Sequence, residues 1–421
     1  MQRSVRRAAA RVLVASVLWR LVCVATLIIT THTQTAFDTS GALLRWTIPG
    51  ADREVAWDTW AVPFVRWDTV YFVGMAHPLG GYQYEQMLAF QPGIVGILRL
   101  LGTSHASPWS PTRAVVRTTL LANILSCVSP VLLYLVTRAQ FRSEKFAVRA
   151  ALLSVFAPAS GTALSSPTPE PFFSFLALLG LTCLSWDAAP RLARLWAAAC
   201  FAGATLFRAN GVLLSGFLIW HALWRPSLRR VPRSVAAWMA DALTAGGSVL
   251  LAGLPLALQQ AWAYAHLCPG RPWCRDTVPL PYSYIQAAYW DVGFGRYWTL
   301  AQVPNFVLAA PVLVLGAWAC VRLAHSWRRV WTDTWWPWQS AGQACELAHV
   351  YYTAAVLALL LFVSHVQIAL RFATPGGLPL LWWGAALLCD EHPRVGRVFL
   401  GYLLWYSLAA TVLYAGFYPP A

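Results

Sequence analysis

Apolar runs of roughly 18 or more residues recur along this chain from one end to the other, each long enough to cross a bilayer core. Of the 421 residues, 58% are hydrophobic and only 11% are charged, against about 25% charged in a soluble domain. So few charges cannot cover a water-facing surface. The chain therefore reads as all-α, a polytopic transmembrane helical protein forming a single integral membrane domain over 1–421. Its first apolar run carries Arg11 and Arg20, which marks a retained first helix or signal anchor rather than a cleaved signal peptide.

The net charge of +15 does not point to nucleic acid, because the basic residues cluster between apolar spans, as cytoplasmic loops do. The clusters are Arg3/Arg6/Arg7/Arg11, Arg138/Arg142/Lys145/Arg149, Arg225/Arg229/Arg230/Arg233, Arg322/Arg328/Arg329 and Arg394/Arg397. With all of them cytosolic, the spans alternate as 9–30, 113–137, 146–164, 168–187, 191–207, 209–224, 236–264, 301–324, 348–366, 372–389 and 398–415. That is about eleven crossings within a range of nine to twelve, with the N-terminus cytosolic. The stretch Ala89–Leu101 is short and proline-broken, and is expected to be re-entrant or interfacial.

The luminal loops are then 31–112, 165–167, the turn at 208, 265–300 and 367–371. They gather Asp68, Glu85, Arg208, Asn210, Gln286, Asp291, His365 and Arg371 on the side facing away from the basic loops. Polar groups at a membrane border are costly unless they serve a cavity or a partner. In loop 265–300, Cys268 and Cys274 flank Pro269-Gly270-Arg271-Pro272-Trp273. Two loop cysteines without the further ligands of a zinc site suggest a disulfide and an oxidising lumen.

Loop 31–112 carries Arg66-Trp67-Asp68, then Tyr71-Phe72, Gly80-Gly81-Tyr82-Gln83-Tyr84-Glu85 and Ala89-Phe90-Gln91-Pro92. A carboxylate can serve as general base toward an acceptor hydroxyl, a ring can stack on a sugar, and a guanidinium fork can grip a phosphate. The same residues would also suit an interfacial tryptophan belt with an Arg–Asp ion pair.

This stretch resembles the GPI mannosyltransferase 2 (PIG-V) family, whose signature is a Trp-Asp pair followed by Gly-Tyr, a Glu and Ala-Phe-x-Pro. Further matches follow in the family's order. They include Ala157-Pro158-Ala159, Pro169-Glu170-Pro171-Phe172-Phe173, Arg208-Ala209-Asn210-Gly211, Pro279-Leu280-Pro281-Tyr282-Ser283-Tyr284-Ile285-Gln286, Tyr289-Trp290-Asp291-Val292-Gly293-Phe294, Gln302-Val303-Pro304-Asn305-Phe306, His365-Val366-Gln367, Arg371-Phe372 and Leu400-Gly401-Tyr402. The resemblance covers about residues 10–420. Asp291 stands where the family usually has Asn, Gln91 replaces an aromatic, and Pro169 replaces a Ser.

The resemblance implies a GT-C glycosyltransferase architecture in the endoplasmic reticulum membrane with a luminal active site. It implies transfer of the second mannose, α1,6-linked, from dolichol-phosphate-mannose to the GPI-anchor precursor, with inversion and with no cofactor or metal. Both substrates are lipid-borne, and some family members have a small membrane-protein partner. Asp68 is then the expected base, and Arg371, Arg208 and His365 the expected contacts of the donor phosphate. Arg66, Trp67, Glu85, Asn210, Gln286, Tyr289, Trp290 and Asp291 are the expected substrate contacts. Glu170, at a helix start, reads as favouring the helix dipole. Competing readings are another transferase using the same sugar donor and, from a different class, a lipid or solute transporter.

Overall fold

The computed structural model describes residues 2–37, 59–104, 107–185, 190–229, 231, 234–339 and 347–418. Part of loop 31–112, the arginines at 230 and 233, and the end of the connection 325–346 lie outside the described residues. Within them the protein is helical, and no strand occurs beyond an isolated bridge between Ser104 and Ser107.

In chain order the helices are α1 (Gln2–Thr33), α2 (Asp68–Ala76), α3 (Pro92–Gly102), α4 (Pro111–Phe141), α5 (Glu144–Val155), α6 (Pro169–Cys183) and α7 (Pro190–Phe207). They continue with α8 (Ser215–Ile219), α9 (Arg225–Leu228), α10 (Val235–Leu267), α11 (Pro281–Trp290), α12 (Val303–Ala324), α13 (Trp327–Trp335), α14 (Leu347–Phe362), α15 (Ala369–Phe372), α16 (Pro379–Glu391) and α17 (Pro393–Ala415). Among the described residues, five are long and apolar enough to cross a membrane: α1, α4, α10, α12 with the turn before it, and α17. The protein is thus a multi-pass membrane protein.

Two expected spans are corrected. In place of 146–164 stands α5, which ends at Val155; in place of 372–389 stands α16, which starts only at Pro379. At 1.5 Å per residue each is about 20 Å long or less, short of a bilayer core of about 30 Å. The cause is local: Pro158 and Pro167 break the first, and Pro375-Gly376-Gly377 the second. Ala89–Leu101, expected to be re-entrant or interfacial, is largely the helix α3.

The irregular stretch 156–168 is nonetheless buried, and buried backbone in a membrane bundle must find partners for its polar groups. Side chains from two long helices supply them. Arg20 of α1 bonds to the Ser160 carbonyl and to Ser165 Oγ, Asn123 Nδ2 of α4 donates to the Ser165 carbonyl at 3.1 Å, and Ser126 Oγ of α4 donates to Leu164 at 2.9 Å. This pedestal delivers the chain to Pro169, whose fixed φ suits the first turn of α6. Helix α6 packs against α4 and α7, and α7 packs against α10.

Candidate active site

Four charged side chains from four separate places in the chain converge at one border of the bundle. Asp68 is the first residue of α2, Glu170 the second residue of α6, Arg208 sits in the turn after α7, and Arg371 lies in the single-turn helix α15. Arg371 Nη1 donates to Asp68 Oδ2 at 2.9 Å, while its Nε lies 2.9 Å and its Nη2 2.7 Å from Glu170 Oε1. Arg208 Nη1 donates to the same Glu170 oxygen at 2.5 Å. Its Nε donates to Asn210 Oδ1 at 3.3 Å, and its guanidinium lies 4.5 Å from the centroid of the Phe372 ring.

Exposure is graded across this group. The side chain of Glu170 is 1% exposed, those of Arg371 and Asp68 30% and 33%. A carboxylate so deeply buried is sustained only by charged hydrogen bonds of this kind. Two cations and two acids balance in charge, and the open end of the cluster is the Asp68–Arg371 pair. A small recess beside it is lined by Glu170, Phe173, Arg208, Arg371, Phe372 and Thr374.

The approach to Asp68 is strained. Trp67 has φ 52° and ψ −128°, a region that costs a non-glycine residue about 1–3 kcal/mol. Its side chain is exposed. Arg66 faces the other way. Its Nε donates to the Ala415 carbonyl at 2.8 Å, its Nη1 to Val62 and Val65, and its guanidinium lies 4.5 Å from the centroid of the Phe417 ring. Arg66, expected as a substrate contact, through these bonds fastens the start of α2 to the end of α17.

Other expected contacts form a second group. Glu85 accepts from Trp273 Nε1 and from the Tyr289 hydroxyl, each at 2.8 Å, with Arg271 at 3.7 Å. Trp273 is fully buried against Leu88, Ala263 and Ile285, and Cys268 and Cys274 are joined in a disulfide around it. Glu85 thus ties loop 31–112 to loop 265–300, and its bond holds the Tyr289 hydroxyl above the usual tyrosine range. Gln286 is half-buried on α11.

His365 and Asp291 are not bonded to the charged cluster. His365 Nε2 bonds to the Trp290 carbonyl at 2.5 Å and its ring stacks on Tyr297 at 4.6 Å. Asp291 is 77% exposed, pairs with Arg296 at 3.1 Å, and adopts the left-handed conformation (φ 51°) that ends α11. Asp and Asn tolerate that conformation best among non-glycine residues, which accounts for either residue there without a chemical role.

Glu170 is the residue that sequence reasoning placed only at a helix dipole. Two part-buried guanidiniums call for an acid, but nothing in the sequence singles out Glu170 as that acid.

The chain is similar to several known proteins. The chain matches the family described as Mannosyltransferase (PIG-V) over residues 9–421. A protein named GPI mannosyltransferase 2 from Cryptococcus neoformans is 30% identical over 418 residues, covering 91% of this chain and 92% of its own length. One named GPI alpha-1,6-mannosyltransferase 2 from Cricetulus griseus is 31% identical, covering 79% and 74%. Among solved structures, the oligosaccharyltransferase of Archaeoglobus fulgidus with a tethered acceptor peptide aligns with a TM-score of 0.47 at 12% identity. That alignment takes in 95% of this chain but 55% of that one, so the chain spans about half the length of that enzyme. The family match runs from within the first helix through the last, and it takes in Asp68, Glu170, Arg208 and Arg371: the chain belongs to the PIG-V mannosyltransferase family.

Proposed function

We propose that this protein transfers the second mannose, in α1,6 linkage, from dolichol-phosphate-mannose to the GPI-anchor precursor. The reaction lies at the luminal face of the endoplasmic reticulum membrane, with the N-terminus cytosolic and the helices in the GT-C arrangement. The names borne by relatives covering 91% and 79% of this chain support the product. The observation that carries the chemistry is the Arg371–Asp68 contact, which puts a candidate base and a phosphate-binding guanidinium side by side.

Asp68 accepts the proton of the attacking hydroxyl. The hydroxyl oxygen forms a bond to C1 of mannose from the face opposite the phosphate, and the C1–O bond breaks. Its electron pair stays on the phosphate oxygen, releasing dolichyl phosphate. A β-linked sugar therefore leaves as an α-linked product, by inversion with one activating carboxylate. Phosphate departs without protonation when positive charge meets it, and Arg371 with Arg208 supplies that charge. We take the enzyme to need no resident cofactor or metal.

Trp67, exposed and next to Asp68 in the chain, is the proposed ring that stacks on a sugar. Tyr289, Trp290, Gln286 and Asn210 remain the proposed contacts of the acceptor glycan. Glu85 acts on them through the Trp273 and Tyr289 bonds, and His365 through the Trp290 carbonyl.

The test is product analysis. Purified protein given radiolabelled dolichol-phosphate-mannose and a precursor bearing a single mannose should yield a lipid whose label an α1,6-specific mannosidase releases. Label in another linkage would point to a different transferase with the same sugar donor. Movement of lipid without a new glycosidic bond would point to a transporter.

A further inference from the structure

Asp68 takes the proton and the two arginines meet the phosphate, yet the most buried carboxyl of the cluster is Glu170. We infer that Glu170 is the positioning residue of the transfer: it gathers Arg208 and Arg371 into one phosphate cradle and leaves Arg371 only partly committed to Asp68. This rests on the mannosyl transfer proposed above.

Two guanidiniums brought together repel, and neither would stay without an acid between them. Glu170 Oε1 alone receives contacts from both, at 2.5 Å from Arg208 Nη1 and 2.7 Å from Arg371 Nη2, so the two forks converge on one point. Both arginines meet Glu170 at this one oxygen. Arg371 then has Nη1 to spare, and Asp68 takes it.

The frame around this contact is stiff. Gly376 N donates to Ser174 Oγ of α6 at 2.9 Å, and a Cβ at 376 would fall 2.0 Å from the Ser174 carbonyl oxygen. Only glycine allows the chain beyond Arg371 to lie this close to the helix that carries Glu170. The pedestal at 156–168 holds the other end of the same helix start.

The arrangement suits the movement of charge during transfer. As Asp68 is protonated it loses a negative charge, and the leaving phosphate gains one. Arg371 borders the acid and would border the phosphate, so the charge passes along a cation that stays in place. Glu170 is the fixed counter-charge that keeps Arg371 from following either partner. Without it both arginines would be balanced by Asp68 alone, and an over-stabilised carboxylate is a poorer base.

The charged and titratable groups near Asp68 and Glu170 are Arg371 from α15, Arg208 from the turn after α7, and Tyr414 from α17. Tyr282 from α11 and Tyr352 from α14 lie near Arg208, and Arg66 is turned to the Ala415 carbonyl.

The experiment is the pH profile of kcat for purified wild-type protein and for Asp68→Asn, Glu170→Gln, Glu170→Asp and Arg208→Gln. Glu170→Gln should lower kcat by roughly 10²-fold and move the acid limb down by about one pH unit, because the arginines then bear harder on Asp68. Arg208→Gln should move the limb the opposite way, and Glu170→Asp, which keeps the charge, should leave it in place and recover part of the rate. A merely structural Glu170 would cost folded protein while leaving the limb unmoved in Glu170→Gln, and that result overturns the inference. Should Glu170→Gln not fold, Glu170→Asp decides it: a part-reduced kcat per folded molecule at the wild-type thermal midpoint supports the inference, and a lowered midpoint with wild-type kcat per folded molecule overturns it. An acid limb that survives in a still active Asp68→Asn variant sinks the assignment of Asp68 instead, which separates the two failures.

Discussion

Arg371 reaches across 303 positions of sequence to lie 2.9 Å from Asp68. The same guanidinium also holds Glu170, so one side chain links a partly exposed acid to a buried one. A planar fork with several donors can do this, whereas an ammonium, a single point charge, cannot keep both angles. Arg371→Lys should therefore behave almost as badly as Arg371→Ala. Each is expected to lower kcat/KM for the sugar donor by roughly 10²-fold or more, read from initial rates at limiting dolichol-phosphate-mannose. Wild-type kcat/KM in the lysine variant would show that charge alone suffices.

Arg66 is one residue further from Asp68 along the chain than Trp67, yet its bonds go to the carbonyls of Val62, Val65 and Ala415. Arg66→Ala should act on stability, costing roughly 3 kcal/mol for buried carbonyls left without their charged donor. Thermal unfolding in detergent should show a lowered midpoint, while kcat per folded molecule stays close to wild type. A specific loss of kcat at unchanged stability would place Arg66 back in the chemistry.

The disulfide between Cys268 and Cys274 encloses the buried Trp273 that bonds to Glu85. Closing so short a loop stabilises by only about 2 kcal/mol in the chain-entropy picture, so Cys268→Ser should still fold. The expected effect is a several-fold rise in acceptor KM with little change in the KM for the sugar donor, measured by varying each substrate in turn. Equal changes in both would detach this loop from acceptor binding.

Asp291 ends a helix in the left-handed conformation and is well exposed. Asp291→Asn should leave activity and stability unchanged. Asp291→Val should destabilise by about 1–2 kcal/mol, since a β-branched residue resists positive φ. Loss of transfer in the asparagine variant would make Asp291 a candidate base.

Much of this was legible in the sequence because bilayer physics writes it there. Long apolar runs, basic clusters and a border crowded with polar groups follow directly from the cost of burying charge in lipid. Asp68, Arg208 and Arg371 stood out for that reason. Glu170 did not, because an acid at the second position of an apolar helix is equally well explained by the helix dipole, and only three-dimensional proximity reveals its two arginines. The spans at 146–164 and 372–389 were overestimated for a related reason. The buried turn 156–168 is composed largely of Ala, Ser, Thr and Pro and carries no charged residue, so nothing in it marks a break in a membrane span, while Arg20, Asn123 and Ser126, distant in sequence, satisfy its backbone. Arg66 misled because adjacency along the chain says nothing about which way a side chain turns at a strained residue such as Trp67.

The most direct test of the account is Asp68→Asn in purified protein, with transfer and donor binding measured separately. The account predicts that mannose transfer falls by at least roughly 10³-fold, while the protein folds normally and still binds dolichol-phosphate-mannose through Arg371 and Arg208. A transfer rate close to wild type in this variant would contradict it.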